Sequence, residues 1–266
     1  MTSNPDSAEI TLENHPDDNR LAVLRLHRPP VNALNQHMWD QVADIAAALH
    51  KSTTIRAVVI TGGARHFAAG ADIKEMVDLS PADFDRRNRV LQHAFHLIAT
   101  APQIVVAAIN GVALGGGFEL ALAADFRIAG RSAVLGLPEV TLGIIPGSGG
   151  TQRLSRIAGI ATAKDLILSG RRILADEALR LGTVDQLVDD ADVFDTAVEK
   201  ALTFARGPLA LRYAKQAIDS GFDLPIDSAL ALEADLITRC FASDDGRLGL
   251  RSFLDDGPGK AAFRGR

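Results

Sequence analysis

The sequence predicts an α/β fold with an all-helical C-terminal part, on three observations. Short apolar runs bounded by glycine or proline alternate with segments of helical period through about residue 190, the pattern of strands interleaved with helices. Two of those runs, Ala57-Val58-Val59-Ile60 and the stretch 104–109, carry no polar face, as strands covered on both sides do. Beyond residue 190 the strand signals stop and only helical segments follow. The expected division is a core over 1–190 and a helical region over 191–266.

Each element has its own signal. Leu21-Ala22-Val23-Leu24-Arg25-Leu26 reads as a strand, stopped by Pro29-Pro30. Met38, Val42, Ile45 and Leu49 recur at helical spacing over 37–49. Ala57-Val58-Val59-Ile60 is a buried strand ending near Gly62-Gly63. Val90, Leu91, Phe95 and Ile98 mark a helix over 86–98, and the strand 104–109 runs directly into Asn110-Gly111. Four helices are then expected over 193–205, 209–218, 226–241 and 246–254, with breaks at Gly207-Pro208 and at 221–225.

Composition narrows the function classes. The chain has 266 residues, 47% hydrophobic and 23% charged, as an ordinary soluble globular protein does. A formal charge of −5 gives no electrostatic footprint for nucleic acid. The lone Cys240 cannot form an internal disulfide, which argues against a secreted, disulfide-built fold. Asp6, Glu9, Glu13, Asp17 and Asp18 stand against a single Arg20 near the start, opposite to a basic transit peptide. No apolar run is long enough for a bilayer, so a cytoplasmic protein without membrane contact is expected.

Three glycine-punctuated runs carry the chemistry. They are Phe67-Ala68-Ala69-Gly70-Ala71-Asp72-Ile73-Lys74, then Asn110-Gly111-Val112-Ala113-Leu114-Gly115-Gly116-Gly117-Phe118-Glu119, then Gly136-Leu137-Pro138-Glu139 followed by Gly143-Ile144-Ile145-Pro146-Gly147-Ser148-Gly149-Gly150-Thr151-Gln152-Arg153. Glycine lets backbone approach a ligand closely, and two carboxyls can divide acid and base work. Two turns that follow strands, at Gly70-Ala71 and at Gly115-Gly116-Gly117, can each offer a backbone N–H to a developing oxyanion. Either run alone reads better as a tight turn, since short glycine motifs are common. The run at 147–152 lacks the third glycine of a dinucleotide fingerprint and the lysine of a Walker loop, so no nucleotide cofactor is indicated. His93 and His96 share a helix face without a completing ligand set, and no metal is expected.

Taken together, the three runs resemble the crotonase (enoyl-CoA hydratase/isomerase) superfamily, and most of all its hydratases. The resemblance extends from about Leu21 and includes Pro30-Val31-Asn32-Ala33-Leu34 and the stretch 243–254. It implies a spiral of β-β-α turns with a helical C-terminal trimerisation region, assembled as a trimer or a dimer of trimers. It also implies an acyl-CoA thioester as substrate, with coenzyme A part of that substrate and no separate cofactor. On the family's pattern Ala71 and Gly116 would form the oxyanion hole, and Ala71, Asp72, Ile73, Lys74 and Gly116 would contact the substrate. Glu119 would activate water, Glu139 would protonate C2, and the Gly147 N–H would hold the water, giving syn hydration of a 2-enoyl-CoA to a 3-hydroxyacyl-CoA.

The tail departs from the pattern. Relatives follow the last helix with a basic Glu-Lys-Arg segment, where this chain has Asp255-Asp256-Gly257-Pro258-Gly259. Lys260 and Phe263 fit residues that, in relatives, lie near the CoA adenine, sometimes across a subunit boundary. Two other readings are an enoyl-CoA isomerase and an RNA-binding homologue without chemistry. The acidic balance and the lack of a basic helix argue against the second.

Overall fold

A computed structural model describes residues 9–266, and the apolar runs of the sequence are its central strands. A hairpin of β1 (Ile10–His15) and β2 (Asp18–Leu26) leads into α1 (Gln36–Lys51), capped by the Asn35 side chain on Met38 N. After β3 (Ala57–Thr61) come the short α2 (Ile73–Met76) and the long α3 (Pro81–Ala99). Two β-β-α turns follow. The first is β4 (Ile104–Ile109), β5 (Val112–Leu114) and α4 (Gly116–Leu122). The second is β6 (Phe126–Gly130), β7 (Val134–Gly136) and α5 (Gly150–Ala158), with a 3-10 turn at Glu139–Leu142 between them. The core ends with α6 (Ile160–Ser169), β8 (Arg172–Leu174), α7 (Ala175–Arg180) and β9 (Gln186–Val188). Helices α8 (Val193–Ala205), α9 (Ala210–Gly221), α10 (Ile226–Ala242) and α11 (Asp244–Asp256) complete the chain.

The strands form a six-stranded sheet in the order β1-β2-β3-β4-β6-β9 and a three-stranded sheet in the order β5-β7-β8. The larger sheet is parallel from β2 onward. Alternate residues of its strands feed different cores. Leu21, Ala57, Val59, Val106 and Ala108 pack on Val193, Ala197, Ala201 and Ala205 of α8. Val58, Ile60, Val105, Ala107 and Ile109 face the main core with Leu49, Phe95 and Ile98. That double cover explains why β3 and β4 read as unbroken apolar runs.

The boundary expected near residue 190 falls just before α8, which packs against the sheet, so the helices beyond the sheet layers are α9, α10 and α11. Helix α3 begins at Pro81, earlier than the expected Arg86, because Ser80 caps it through Asp83 N and proline fits its first turn. No helix among the described residues is long and apolar enough to cross a membrane.

One buried ion pair ties α9 to the core. Lys215 Nζ donates to Asp125 Oδ2 at 2.8 Å and to the Gln103 carbonyl at 2.9 Å, while Val105 N–H donates to the same carboxylate at 2.7 Å. Burial pushes the Asp125 carboxyl up, and the ammonium pulls it back. Lys215→Met leaves Asp125 buried without its cation, so it is expected to lower stability by about 3–5 kcal/mol in chemical denaturation. Adding Asp125→Asn should restore part of that loss.

Candidate active site

The two oxyanion candidates sit at the carboxyl ends of neighbouring parallel strands, where open α/β sheets place their ligands. The loop after β3 returns beside Leu34, whose N–H donates to the Gly70 carbonyl at 2.8 Å, while Asp72 N–H donates to the Leu34 carbonyl at 2.9 Å. This parallel bridge uses the groups on either side of Ala71 and turns the Ala71 N–H the other way. Asn32 braces the turn from beneath, donating to the carbonyls of Gly62, His66 and Phe67 at 2.9, 3.0 and 3.1 Å.

After β5 the chain bends at Gly115, whose φ of +52° suits glycine and whose N–H is taken by the Gly136 carbonyl at 2.9 Å. Gly116 then opens α4, where the first N–H groups have no acceptor within the helix. A Cβ at Gly116 would lie 3.9 Å from Ala71 N and 3.9 Å from Glu119 Oε2, so both N–H candidates and a carboxylate meet at one point. A Cβ at Gly117 would collide with the Ala68 carbonyl, which fixes glycine there by close approach.

Glu119 lies in the first turn of α4, a helix buried along its whole length, and is only 3% exposed. Its Oε1 accepts from Ser148 N–H at 2.7 Å and from Gly150 N–H at 2.8 Å. Burial pushes this carboxyl up, and the Gly150 and Ser148 amides and the Arg153 guanidinium act against that rise. Arg153 Nη1 in turn donates to the Ser148 carbonyl at 3.0 Å.

Glu139 opens the 3-10 turn after Pro138, and its Oε1 would lie 3.1 Å from a Cβ at Gly115. Its Oε2 is buried and has no hydrogen-bond partner among the described residues. Burial, and then the charge of Glu119, push this carboxyl up to about 7. A buried acceptor without a protein partner is a place for a water or substrate donor.

Ala71, Gly116, Glu119 and Glu139 are thus brought together. Gly147 is joined to them through its neighbour: its carbonyl accepts from Asn88 and Gln92 of α3 at 3.2 Å each, and the N–H of that same peptide is the Ser148 donor to Glu119. Asp72 caps α2 and pairs with Arg28 at 2.7 Å, next to an exposed Ile73 and Lys74. Lys260 and Phe263 are not brought to this place within one chain. The Phe263 ring lies against Gly249, and Arg264 and Gly265 are held by Asp245 at 2.8 and 2.6 Å. The Arg264 carbonyl accepts from Arg56, which precedes β3 and so lies at the end of the sheet away from Ala71. Sequence reasoning missed Ser148, Gly150, Arg153 and Asn88. The glycine run at 147–150 was the available signal, read for the Gly147 N–H and against a nucleotide loop but not for the Ser148 and Gly150 amides.

Known proteins match along nearly the whole chain. The sequence profile of the enoyl-CoA hydratase/isomerase family matches residues 17–265. The short-chain-enoyl-CoA hydratase of Clostridium acetobutylicum is 38% identical over 90% of this chain and 92% of its own length. The crotonyl-CoA hydratase of Syntrophomonas wolfei is 41% identical over 90% of this chain and 93% of its own. The crystal structure of an enoyl-CoA hydratase from Bacillus anthracis superposes with a TM-score of 0.91 at 35% identity, covering 97% of this chain and 100% of that one.

The raised carboxyl of Glu139 has a stability consequence. Its folded value of about 7 exceeds its ordinary value of 4.5, so the native state loses stability as pH rises through that interval. Glu139→Gln removes the cost. Its melting temperature is expected to exceed wild type by roughly 2–4 °C at pH 8 and to match it near pH 4 in calorimetry.

Proposed function

The chain belongs to the enoyl-CoA hydratase/isomerase family, and we propose that it works there as an enoyl-CoA hydratase through a carboxyl pair that carries one proton. The observation that supports this reading is the convergence of Glu119, Glu139 and the Ala71 N–H on the Gly115-Gly116 backbone. The charge of Glu119 adds to burial in raising Glu139 to about 7, so in this reading the pair carries a single proton below that pH. We assign the charge to Glu119 because its Oε1 accepts from two amides while Glu139 Oε2 has no partner among the described residues, which leaves the proton on Glu139.

Hydration follows from that division. A water resting on Glu119 Oε2 and Glu139 loses a proton to Glu119 as its oxygen attacks C3 of a 2-enoyl thioester. Negative charge moves to the thioester oxygen, where the Ala71 and Gly116 N–H groups stabilise the enolate by about 3–4 kcal/mol per donor. Glu139 then protonates C2. Both carboxyls flank the same water, so oxygen and proton arrive on one face, and the product is a 3-hydroxyacyl thioester. One proton has passed from Glu139 to Glu119, and proton exchange resets the pair. Asp72, Ile73 and Lys74 would border the CoA moiety.

Assembly into a trimer or a dimer of trimers accompanies this reading. Ile218, Phe222, Ile226, Ile237 and Phe241 of the last helices and their connection are 62–71% exposed, an apolar surface that a second copy would cover. In such an assembly Lys260 and Phe263 would serve a neighbouring subunit's CoA. Light scattering is expected to give three or six times the chain mass, and a monomer would contradict it.

Loss of enoyl-thioester absorbance with crotonyl-CoA tests the chemistry. Glu119→Gln and Glu139→Gln should each lower kcat by about 10²–10⁴-fold or more while KM changes little. Hydration needs Glu139 protonated, so its rate should fall as pH rises through about 7, while dehydration of the product needs the carboxylate and should rise there. Faster turnover of a 3-enoyl-CoA than of crotonyl-CoA would instead mark an isomerase.

A further inference from the structure

Arg153 is a half-buried cation that touches neither the water nor the substrate in the chemistry above. It stands in the first turn of α5, and its Nη1 donates to the Ser148 carbonyl at 3.0 Å. The guanidinium lies across Gly149, where any Cβ would overlap it and where φ is +108°. Its backbone N–H donates to the Gly149 carbonyl at 2.8 Å. Arg153 therefore grips the middle of the loop 147–150, while the amides on either side of Gly149 hold Glu119 Oε1. No carboxylate pairs with it within salt-bridge distance among the described residues, and Glu119 is the acid whose charge it feels. A partly buried guanidinium without an ion pair bears a desolvation cost that no direct carboxylate contact offsets.

We propose that Arg153 is a positioning residue for the catalytic base: it fixes the loop that holds Glu119 and supplies the positive charge that keeps Glu119 ionised. This rests on the reading of Glu119 as base. The geometry separates the two contributions, since the bond to the Ser148 carbonyl orients the amides and the charge acts through space. Losing the cation would leave Glu119 with burial and two neutral donors, raising its affinity for a proton.

The surrounding charges leave this task to Arg153. It borders a cavity of about 1050 Å³ between α3, α5 and α9. From α3 come Arg89, His93 and His96, of which His96 is pushed down by burial and by Arg153 itself. Arg156 on α5 pairs with Asp223 at 3.4 Å, and Asp125 is held by Lys215 at 2.8 Å. Asp219 of α9 faces Lys215. Glu139, the other carboxyl beside the Gly115-Gly116 backbone, is raised by burial and by the charge of Glu119, and when protonated it supplies no charge to balance Arg153.

The test compares Arg153→Gln, Arg153→Met and Arg153→Lys with wild type on crotonyl-CoA across pH. Wild-type turnover, lost in Glu119→Gln, checks the underlying reading separately. In the Gln and Met variants kcat should fall roughly tenfold or more with KM nearly unchanged. The acid limb of kcat/KM should move up by about one pH unit, because a base of higher pKa is ionised only at higher pH. Arg153→Lys keeps the charge and should hold the limb near its wild-type position. An unmoved limb in the Gln and Met variants, or a lysine variant shifted as far as they are, would overturn the proposal and leave Arg153 a loop brace. Should the neutral variants not fold, the double variant Glu119→Gln/Arg153→Gln decides: recovery of a folded protein supports the charge coupling, and failure to recover overturns it.

Discussion

A carboxylate with almost no access to water sets the terms for the rest of this structure. Glu119 can hold charge at 3% exposure only if the protein replaces its lost hydration, and two backbone amides and a nearby guanidinium offset part of that loss. The amides belong to Ser148 and Gly150, on either side of Gly149, so the chain must double back tightly between the 3-10 turn and α5. Asn88 and Gln92 hold that loop from α3 by the Gly147 carbonyl, and Arg153 holds it from α5. Each of these contacts is remote in sequence from Glu119, and each is aimed at the same oxygen or its supports.

Glycine makes the convergence sterically feasible. At Gly115 and Gly116 the backbone itself occupies the space between two carboxyls and the Ala71 N–H, and at Gly117 it runs against the Ala68 carbonyl. A Cβ at Gly117 would clash outright and one at Gly115 would press on Glu139 Oε1 at 3.1 Å, whereas one at Gly116 would fill the space next to Ala71 N and Glu119 Oε2. The parallel strands β3 and β4 start the alignment and the parallel bridge between Ala68 and Ala113 carries it on, which sets the Gly70-Ala71 and Gly115-Gly116 turns side by side. A preorganised site of this kind is rigid because its donors are main-chain groups of buried elements.

The parts of this arrangement legible in the sequence were those with a side-chain signature. The runs at 57–60 and 104–109 announced strands because both faces meet apolar partners, and 193–205 matched α8 because its small apolar face packs on the sheet. Strands β5, β7, β8 and β9 are three residues long, too short for any period to emerge. The start of α3 was hidden because its first turns are polar and only the Ser80-Pro81 cap marks them. Glu119, Glu139, Ala71 and Gly116 were legible through glycine punctuation and resemblance. The Ser148 and Gly150 donors were not, since a backbone amide has no signature of its own. The tail is tied to Asp245 and Arg56 by main-chain bonds, which likewise leave no trace in residue type.

The central claim is that the carboxyl pair carries one proton and that it resides on Glu139. An infrared titration of the protonated-carboxyl stretch, on wild type and Glu139→Gln, tests it most directly. The account predicts a band that disappears with a midpoint near pH 7 in wild type and is absent from the variant. A band near pH 7 that survives in Glu139→Gln, or no carboxyl titrating between about pH 6 and 8, would contradict it.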